Sequence, residues 1–211
     1  MQVPKGNLAR YWIHPMMGKC AAPCIPHAMI PVMKRTVGVM GASARQAPEI
    51  EDLAYRLGKA IGSLGVVLIT GATTGMPLIA ARGARESGGE VIGFSPAYNE
   101  HDHRRLGLPF EHHDLILYTG LGFHGRNLLN VRSSEALFFA GGSMGTLNEF
   151  TIAYDEDKIM GVLEGTGGFC DHMQDWIRAL AKPNNRSVIH YGGDPAVLVD
   201  RVYRSLQSTS E

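Results

Sequence analysis

Nothing in the 211-residue chain supports a disulfide framework: its three cysteines, Cys20, Cys24 and Cys170, are too few and too unevenly spaced. That usage fits a reducing compartment, and the expected location is the cytoplasm. No apolar run approaches the roughly 20 residues that cross a bilayer, so no membrane partner is expected. An excess of charge of one sign is missing too. Lys plus Arg and Asp plus Glu cancel at 20 each, which leaves no overall field to hold a polyanion and disfavours a nucleic-acid partner.

Several catalytic signatures are also missing. Without G-x-x-x-x-G-K-[ST] there is no P-loop for NTP hydrolysis, and without G-x-S-x-G there is no nucleophile elbow. The dinucleotide fingerprint G-x-G-x-x-G with a downstream acid is absent after the first strand. Nine histidines invite a metal reading. However, His101, His103, His112 and His113 fall in a polar stretch without a paired cysteine or a helical H-x3-H register, so they read as solvated or hydrogen-bonded side chains. Cys20-x3-Cys24 with His14 and His27 is too loosely spaced for a ligand set, and no metal site is assigned.

What remains is a globular composition, 45% hydrophobic and 19% charged, with 26 glycines concentrated in loops. The length fits one domain with an arm. Residues 1–34 are interrupted by Pro4, Pro15, Pro23, Pro26 and Pro31 and lack a continuous apolar segment followed by a cleavage site. They read as an N-terminal arm, followed by a domain over 35–207 and a tail over 208–211. Because the recognisable pattern starts just after Met33, translation from that methionine is a further expectation.

From Thr36 onward short apolar runs alternate with amphipathic stretches, which predicts a single Rossmann-like α/β domain. Its parallel sheet of six to seven strands should be covered by helices on both faces. The predicted strands are Thr36 to Met40, Val66 to Thr70, Val91 to Phe94, Leu115 to Tyr118, Ala136 to Ala140 and Ile159 to Leu163, with a weaker one at Val188 to Tyr191. Most are apolar at consecutive positions, as strands buried on both faces are. Helices are predicted over Pro48 to Leu64, Leu78 to Ser87, Arg126 to Ser134, Thr146 to Asp157, Phe169 to Ala181 and Pro195 to Leu206. The polar stretch Ser95 to Asp114 reads as a mobile loop.

Ligands of such sheets bind beyond the carboxyl ends of the strands, where helix N-termini point free N–H groups outward. Glycine-bearing loops follow the strands at Gly41-Ala42-Ser43, at Gly71-Ala72-Thr73-Thr74-Gly75-Met76, at Gly141-Gly142-Ser143-Met144-Gly145-Thr146 and at Gly165-Thr166-Gly167-Gly168. Their convergence on one edge carries more weight than any single glycine turn. The hydroxyls of Ser43, Thr73, Thr74, Ser143, Thr146 and Thr166 suit phosphate or ribose oxygens.

Two readings stand for Thr146-Leu147-Asn148-Glu149. Its spacing is that of a capping box, in which Thr146 and Glu149 satisfy orphan helix N–H groups. A carboxylate there could equally stabilise a cationic transition state or activate water. Arg126, at the start of a predicted helix, opposes the helix dipole, and a bidentate phosphate contact would account for it. Arg132 lies six residues on, as a second anion contact or a salt bridge.

The segments VGVMGAS, LGVVLITGATTGMPLIAARGARESGGEVIGFSP and GRNLLNVRSSEALFFAGGSMGTLNE together resemble the family long labelled "lysine decarboxylase-like". It includes the Lonely Guy cytokinin-activating phosphoribohydrolases and the molybdenum-cofactor carrier proteins. The resemblance implies that Arg126 and Glu149 are catalytic, with Gly141, Gly142, Ser143, Gly145 and Thr146 as the cradle of a 5′-phosphate. Gly41, Ser43, Gly71, Thr74, Gly75, Met76, Arg132, Thr166 and Gly167 complete the expected ligand site. Pyridoxal-dependent decarboxylation is discounted because no lysine lies in any of the four loops. Ala140-Gly141-Gly142 and Arg126-Asn127 depart from the Lonely Guy pattern, and the RN-x-x-x-V-R-S segment looks more like the branch that contains the carriers.

The expected function is therefore hydrolysis of the N-glycosidic bond of a nucleoside 5′-monophosphate, with no cofactor required. The alternative is a non-catalytic carrier of molybdenum cofactor or of another phosphorylated pterin or nucleotide. The expected partners are that small molecule and further copies of the chain in a homodimer or larger homo-oligomer.

Overall fold

The protein is described by a computed structural model over residues 33–209. Met1–Met33 and Lys34–Glu211 are separate units, and every strand and helix described belongs to the second. Of the expected arm over 1–34, only Met33 and Lys34 are described; the rest, with the loosely spaced set Cys20, Cys24, His14 and His27, lies outside the described residues.

Strands and helices alternate without interruption, in the order β1 (Thr36–Gly41), α1 (Pro48–Gly62), β2 (Val67–Thr70), α2 (Met76–Glu86), β3 (Glu90–Ser95), α3 (Glu100–Arg105), β4 (Leu115–Tyr118), α4 (Gly122–Arg132), β5 (Ala136–Ala140), α5 (Met144–Asp155), β6 (Ile159–Leu163), α6 (Phe169–Leu180), β7 (Val188–Gly192) and α7 (Pro195–Ser208). All seven strands pair in parallel in the order β4-β3-β2-β1-β5-β6-β7. The chain thus builds leftward from β1 to β4, then crosses through α4 to β5 on the other side of β1. The gap above β1 and β5 is the switch point at which such sheets hold ligands.

Alternation along β5 shows why both faces are covered. Ala136, Phe138 and Ala140 join a core with α1, α2 and α7, whereas Leu137 and Phe139 join another with α4, α5 and α6. All five residues are buried. Burying a large apolar side chain contributes about 1.5–3 kcal/mol, so the uninterrupted ALFFA segment fixes the middle of the sheet.

Several boundaries differ from expectation, and three of the differences bear on the site. The segment Ser95 to Asp114 is no featureless loop: it contains α3, capped by Asn99, whose side chain accepts from the Asp102 amide at 2.9 Å. His103 on α3 is fully buried. Its Nε2 donates to the Pro109 carbonyl at 3.0 Å, which leaves Nδ1 to accept from the Ser95 hydroxyl at 2.8 Å. Helix α4 begins at Gly122, four residues before Arg126, and α5 begins at Met144, two before Thr146. At the carboxyl end, α7 runs to Ser208 and so takes in the first residue of the expected tail.

Candidate functional site

A cavity of about 310 Å³ opens at the carboxyl edge of the sheet, in the size range of small-molecule sites. Gly41, Ser43, Thr74, Arg126, Ser143, Gly145, Thr146 and Glu149 line it, as do Ala42, Thr73, Leu108, Phe123, His124 and Asn127. The loops after β1, β2 and β5 therefore meet, as the glycine pattern predicts.

The first turn of α5 forms one wall. Its N-cap residue, Ser143, makes no side-chain cap, and no acidic residue lies in that turn. The N–H groups of Met144, Gly145 and Thr146 thus precede the first intrahelical bond, which runs from Leu147 N to Ser143 O at 2.9 Å. Orphan amides and the helix dipole make this end a seat for an anion. Behind it, Gly141 and Gly142 both have positive φ, +62° and +102°, which glycine alone adopts cheaply. They turn the chain so that the Gly141 amide donates to Thr166 Oγ1 at 2.8 Å and the Gly142 carbonyl accepts from Phe169 N at 2.8 Å.

Deeper in the cavity lies a buried ion pair. Arg126 Nη1 donates to Glu149 Oε1 at 3.2 Å and to Asn127 Oδ1 at 3.2 Å. Asn130 Nδ2 donates to the same carboxylate oxygen at 3.0 Å, and Asn127 Nδ2 reaches Asn148 Oδ1 at 2.9 Å. Arg126 and Glu149 are each only 6% exposed. Burial raises the Glu149 carboxyl above its ordinary pKa, while the Arg126 guanidinium and the Asn130 amide pull it back. Burial likewise lowers Arg126, against the pull of Glu149. A guanidinium does not lose its proton in proteins, so Arg126 stays cationic, and it is the main group that opposes the effect of burial on Glu149. Arg126 Nε is buried without a partner. Among the described residues, Arg126 Nη2 and Glu149 Oε2 make no hydrogen bond, and both side chains line the cavity.

Two sequence readings are corrected by this geometry. Glu149 and Thr146 do not form a capping box: the Glu149 carboxylate is bound by Arg126 and Asn130, and no side chain caps α5. Nor does Arg126 sit at a helix start, because α4 begins a full turn earlier. The dipole therefore does not oppose it as expected, and its Nη1 is held by Glu149.

The remaining expected residues do not line the cavity. Arg132 is on the surface, where its Nε meets Glu156 Oε1 at 2.7 Å. Met76 is a fully buried core residue whose amide bonds Ala42 O at 2.8 Å. Thr166 is spent on Gly141 and on the Leu163 carbonyl, and Gly75 packs on the backbone of Ala42 and Ser43. Gly167 makes no close approach to the seat. Gly71 acts indirectly: a Cβ there would overlap the guanidinium of Arg126, so this glycine leaves room for the arginine. Sequence reasoning misses Asn127 and Asn130. The signal for Asn130 is its place in Arg126-Asn127-Leu128-Leu129-Asn130, where i+4 spacing puts it on the arginine's face of the helix; Asn127 carries no such signal.

The described residues hold no group of three or more His, Cys, Asp or Glu able to bind a metal, and none of their helices is long and apolar enough to cross a membrane. His113 is hydrogen-bonded at both ring nitrogens, to Thr70 Oγ1 and to Glu111 O, each at 2.8 Å. Cys170 donates to Gly141 O at 3.0 Å, and burial pushes its thiol up to about 12, which leaves no thiolate for nucleophilic chemistry.

Parallel strands, a switch-point cavity and an uncapped helix N-terminus beside a buried arginine define a Rossmann-like domain with the features of an anion-binding site. The chain belongs to the SLOG cluster4 family, whose profile matches residues 34–198. An uncharacterised protein of Archaeoglobus fulgidus is 37% identical over 122 residues, 58% of this chain and 75% of that protein. Among solved structures, the molybdenum cofactor carrier protein of Chlamydomonas reinhardtii is similar with a TM-score of 0.67 and 28% identity, over 83% of this chain and 99% of that one. The molybdenum cofactor binding protein of Rippkaea orientalis gives 0.65 and 27%, over 86% and 100%.

Proposed function

We propose that the protein binds and holds a phosphorylated pterin of the molybdenum-cofactor type, or a closely related phosphorylated nucleotide, without turning it over. The observation that carries this reading is the uncapped N-terminus of α5 opening on the cavity that also contains Arg126. A phosphate ester placed there meets backbone N–H groups and a guanidinium, both suited to its oxygens. The likeness to two molybdenum-cofactor binding proteins over most of each chain supports the carrier role. So does the engagement of Glu149, one of whose carboxylate oxygens is already shared by Arg126 and Asn130. The expected homo-oligomer and the absence of a nucleic-acid partner belong to the same reading.

Native mass spectrometry of protein purified from cells making the cofactor tests this. A carrier retains about one equivalent of a phosphorylated heterocycle. Protein that stays ligand-free, even after incubation with excess pterin phosphate, contradicts the reading.

One observation favours a second reading. Arg126 and Glu149 occupy the positions that the resemblance to phosphoribohydrolases marks as catalytic, and both line the cavity. In that case the carboxylate would stabilise an oxocarbenium-like transition state as base and ribose 5-phosphate separate. Free base released from a panel of nucleoside monophosphates, and lost in Glu149→Gln, would establish it over the carrier role.

A further inference from the structure

The cavity has two chemically different kinds of lining. Ser143, Gly145 and Thr146 reach it from α5, beyond β5, and offer amides and hydroxyls. Leu108 and Phe123 reach it from elsewhere: Leu108 from the connection between β3 and β4, Phe123 from the first turn of α4, just after β4. In the sheet order β4-β3-β2-β1-β5, what β3 and β4 deliver arrives from the side away from what β5 delivers. The cavity is therefore amphipathic: α5 brings orphan amides, and Leu108 and Phe123 bring large apolar side chains, Phe123 lying one turn before Arg126 on α4.

The backbone at both residues is held in place. The Leu108 amide donates to His103 O at 3.2 Å, and its neighbour Pro109 accepts from the fully buried His103 ring. Phe110 packs edge-on against the same ring, with centroids 4.6 Å apart. Phe123 is placed by Gly120 and Gly122, which turn the chain through φ of +66° and +67°. Yet Phe123 itself is 48% exposed, and it packs on no other ring among the described residues. A phenyl group left half in water at the mouth of a polar cavity offers an unused face of the kind on which flat rings stack.

We infer that Phe123, together with Leu108, holds a flat heterocycle whose phosphate sits at the N-terminus of α5. The ligand class is then phosphate esters that carry a planar ring, and bare sugar phosphates are poor ligands. Phe123 is a specificity-determining residue that adds binding only when a ring is present. The inference rests on the proposed phosphate-ester function, and the test separates the two.

Calorimetric titration of the full chain with neopterin monophosphate, GMP, ribose 5-phosphate and inorganic phosphate provides that test. At least one of the two ring-bearing esters binds at least tenfold more tightly than ribose 5-phosphate. Phe123→Ala removes most of that advantage, a loss of about ten- to a hundredfold for one stacked ring. It leaves ribose 5-phosphate within twofold, and Phe123→Trp restores the preference. A merely structural role would weaken all ligands together. Equal weakening, no weakening, or a wild-type protein that binds ribose 5-phosphate as tightly as the ring-bearing esters overturns the inference while leaving the anion seat intact. If none of the four compounds binds, the proposed function fails and the inference falls with it.

Discussion

Replacing Arg126 by Gln removes the cation from a buried pair in which both side chains are about nine-tenths covered. What remains is a carboxyl group with Asn130 as its one donor among the described residues besides whatever the new amide supplies. Breaking a buried ion pair from one side costs about 3–5 kcal/mol, mostly through the charge left behind. A domain of this size loses roughly 2–4 °C in melting temperature per kcal/mol, so Arg126→Gln should melt about 6–20 °C lower. The double variant Arg126→Gln with Glu149→Gln removes the stranded charge and should recover more than half of that loss. The pH dependence supplies a second check. Burial raises the Glu149 carboxyl in the folded state, and without Arg126 to oppose it the folded value lies further above the unfolded one. The folded state then binds more protons between those two values, so stability falls as pH rises through that window. The deficit of Arg126→Gln should accordingly be smaller at pH 5 than at pH 8. Differential scanning calorimetry measures both effects. A single variant melting within 1 °C of wild type, or a double variant less stable than the single, would refute the account of the pair.

Three further outcomes are expected from the same geometry. Gly71→Ala has no backbone penalty from positive φ, but its methyl must push the Arg126 guanidinium by roughly 1 Å to regain ordinary contact; phosphate-ester affinity should drop about tenfold while the melting temperature moves by only a few degrees, as paired titration and melting experiments would show. Arg132→Ala loses only an exposed ion pair with Glu156 and should change stability by no more than about 0.5 kcal/mol and ligand affinity not at all; a marked loss of binding would return Arg132 to the site. Burial lowers the pKa of His113 below its ordinary value, so the unfolded state binds more protons in that window, and stability complete above pH 6.5 is lost as pH falls toward the folded value. His113→Gln should flatten that acid-side slope, and an unchanged slope in urea titrations would show that His113 is not responsible.

The sheet is largely legible from the chain because its strands are uninterrupted apolar runs: ALFFA and IMGVL admit burial on both faces and little else. Helix starts are less legible. Gly122, Phe123, His124 and Gly125 carry no capping residue and two of the four are glycines, poor helix formers, yet they form the first turn of α4 because the turn before it and the crossover to β5 place them there. The convergence of the loops after β1, β2 and β5 comes from the parallel alternation, whereas the burial of His103 on α3 does not, since its partners Ser95 and Pro109 flank it without any periodic signal. Glu149 shows the limit of local reading most sharply. Its spacing from Thr146 is that of a capping box, but Arg126 and Asn130 sit 23 and 19 residues away in sequence, and only the tertiary fold decides which donors the carboxylate meets. Gly71 reads as part of the ligand cradle and instead makes room for the arginine, a contact between loop and helix that no local pattern encodes.

The central physical claim is that the amides of the first α5 turn and the guanidinium of Arg126 together seat a phosphate ester that stays intact. Phosphorus NMR of neopterin monophosphate mixed with equimolar protein observes that group directly. The account predicts a resonance that shifts or broadens to saturation at one equivalent, returns unchanged when the protein is removed, and hardly moves with Arg126→Gln. A resonance that stays at its free position with millimolar wild-type protein, or that responds equally to Arg126→Gln, would contradict it.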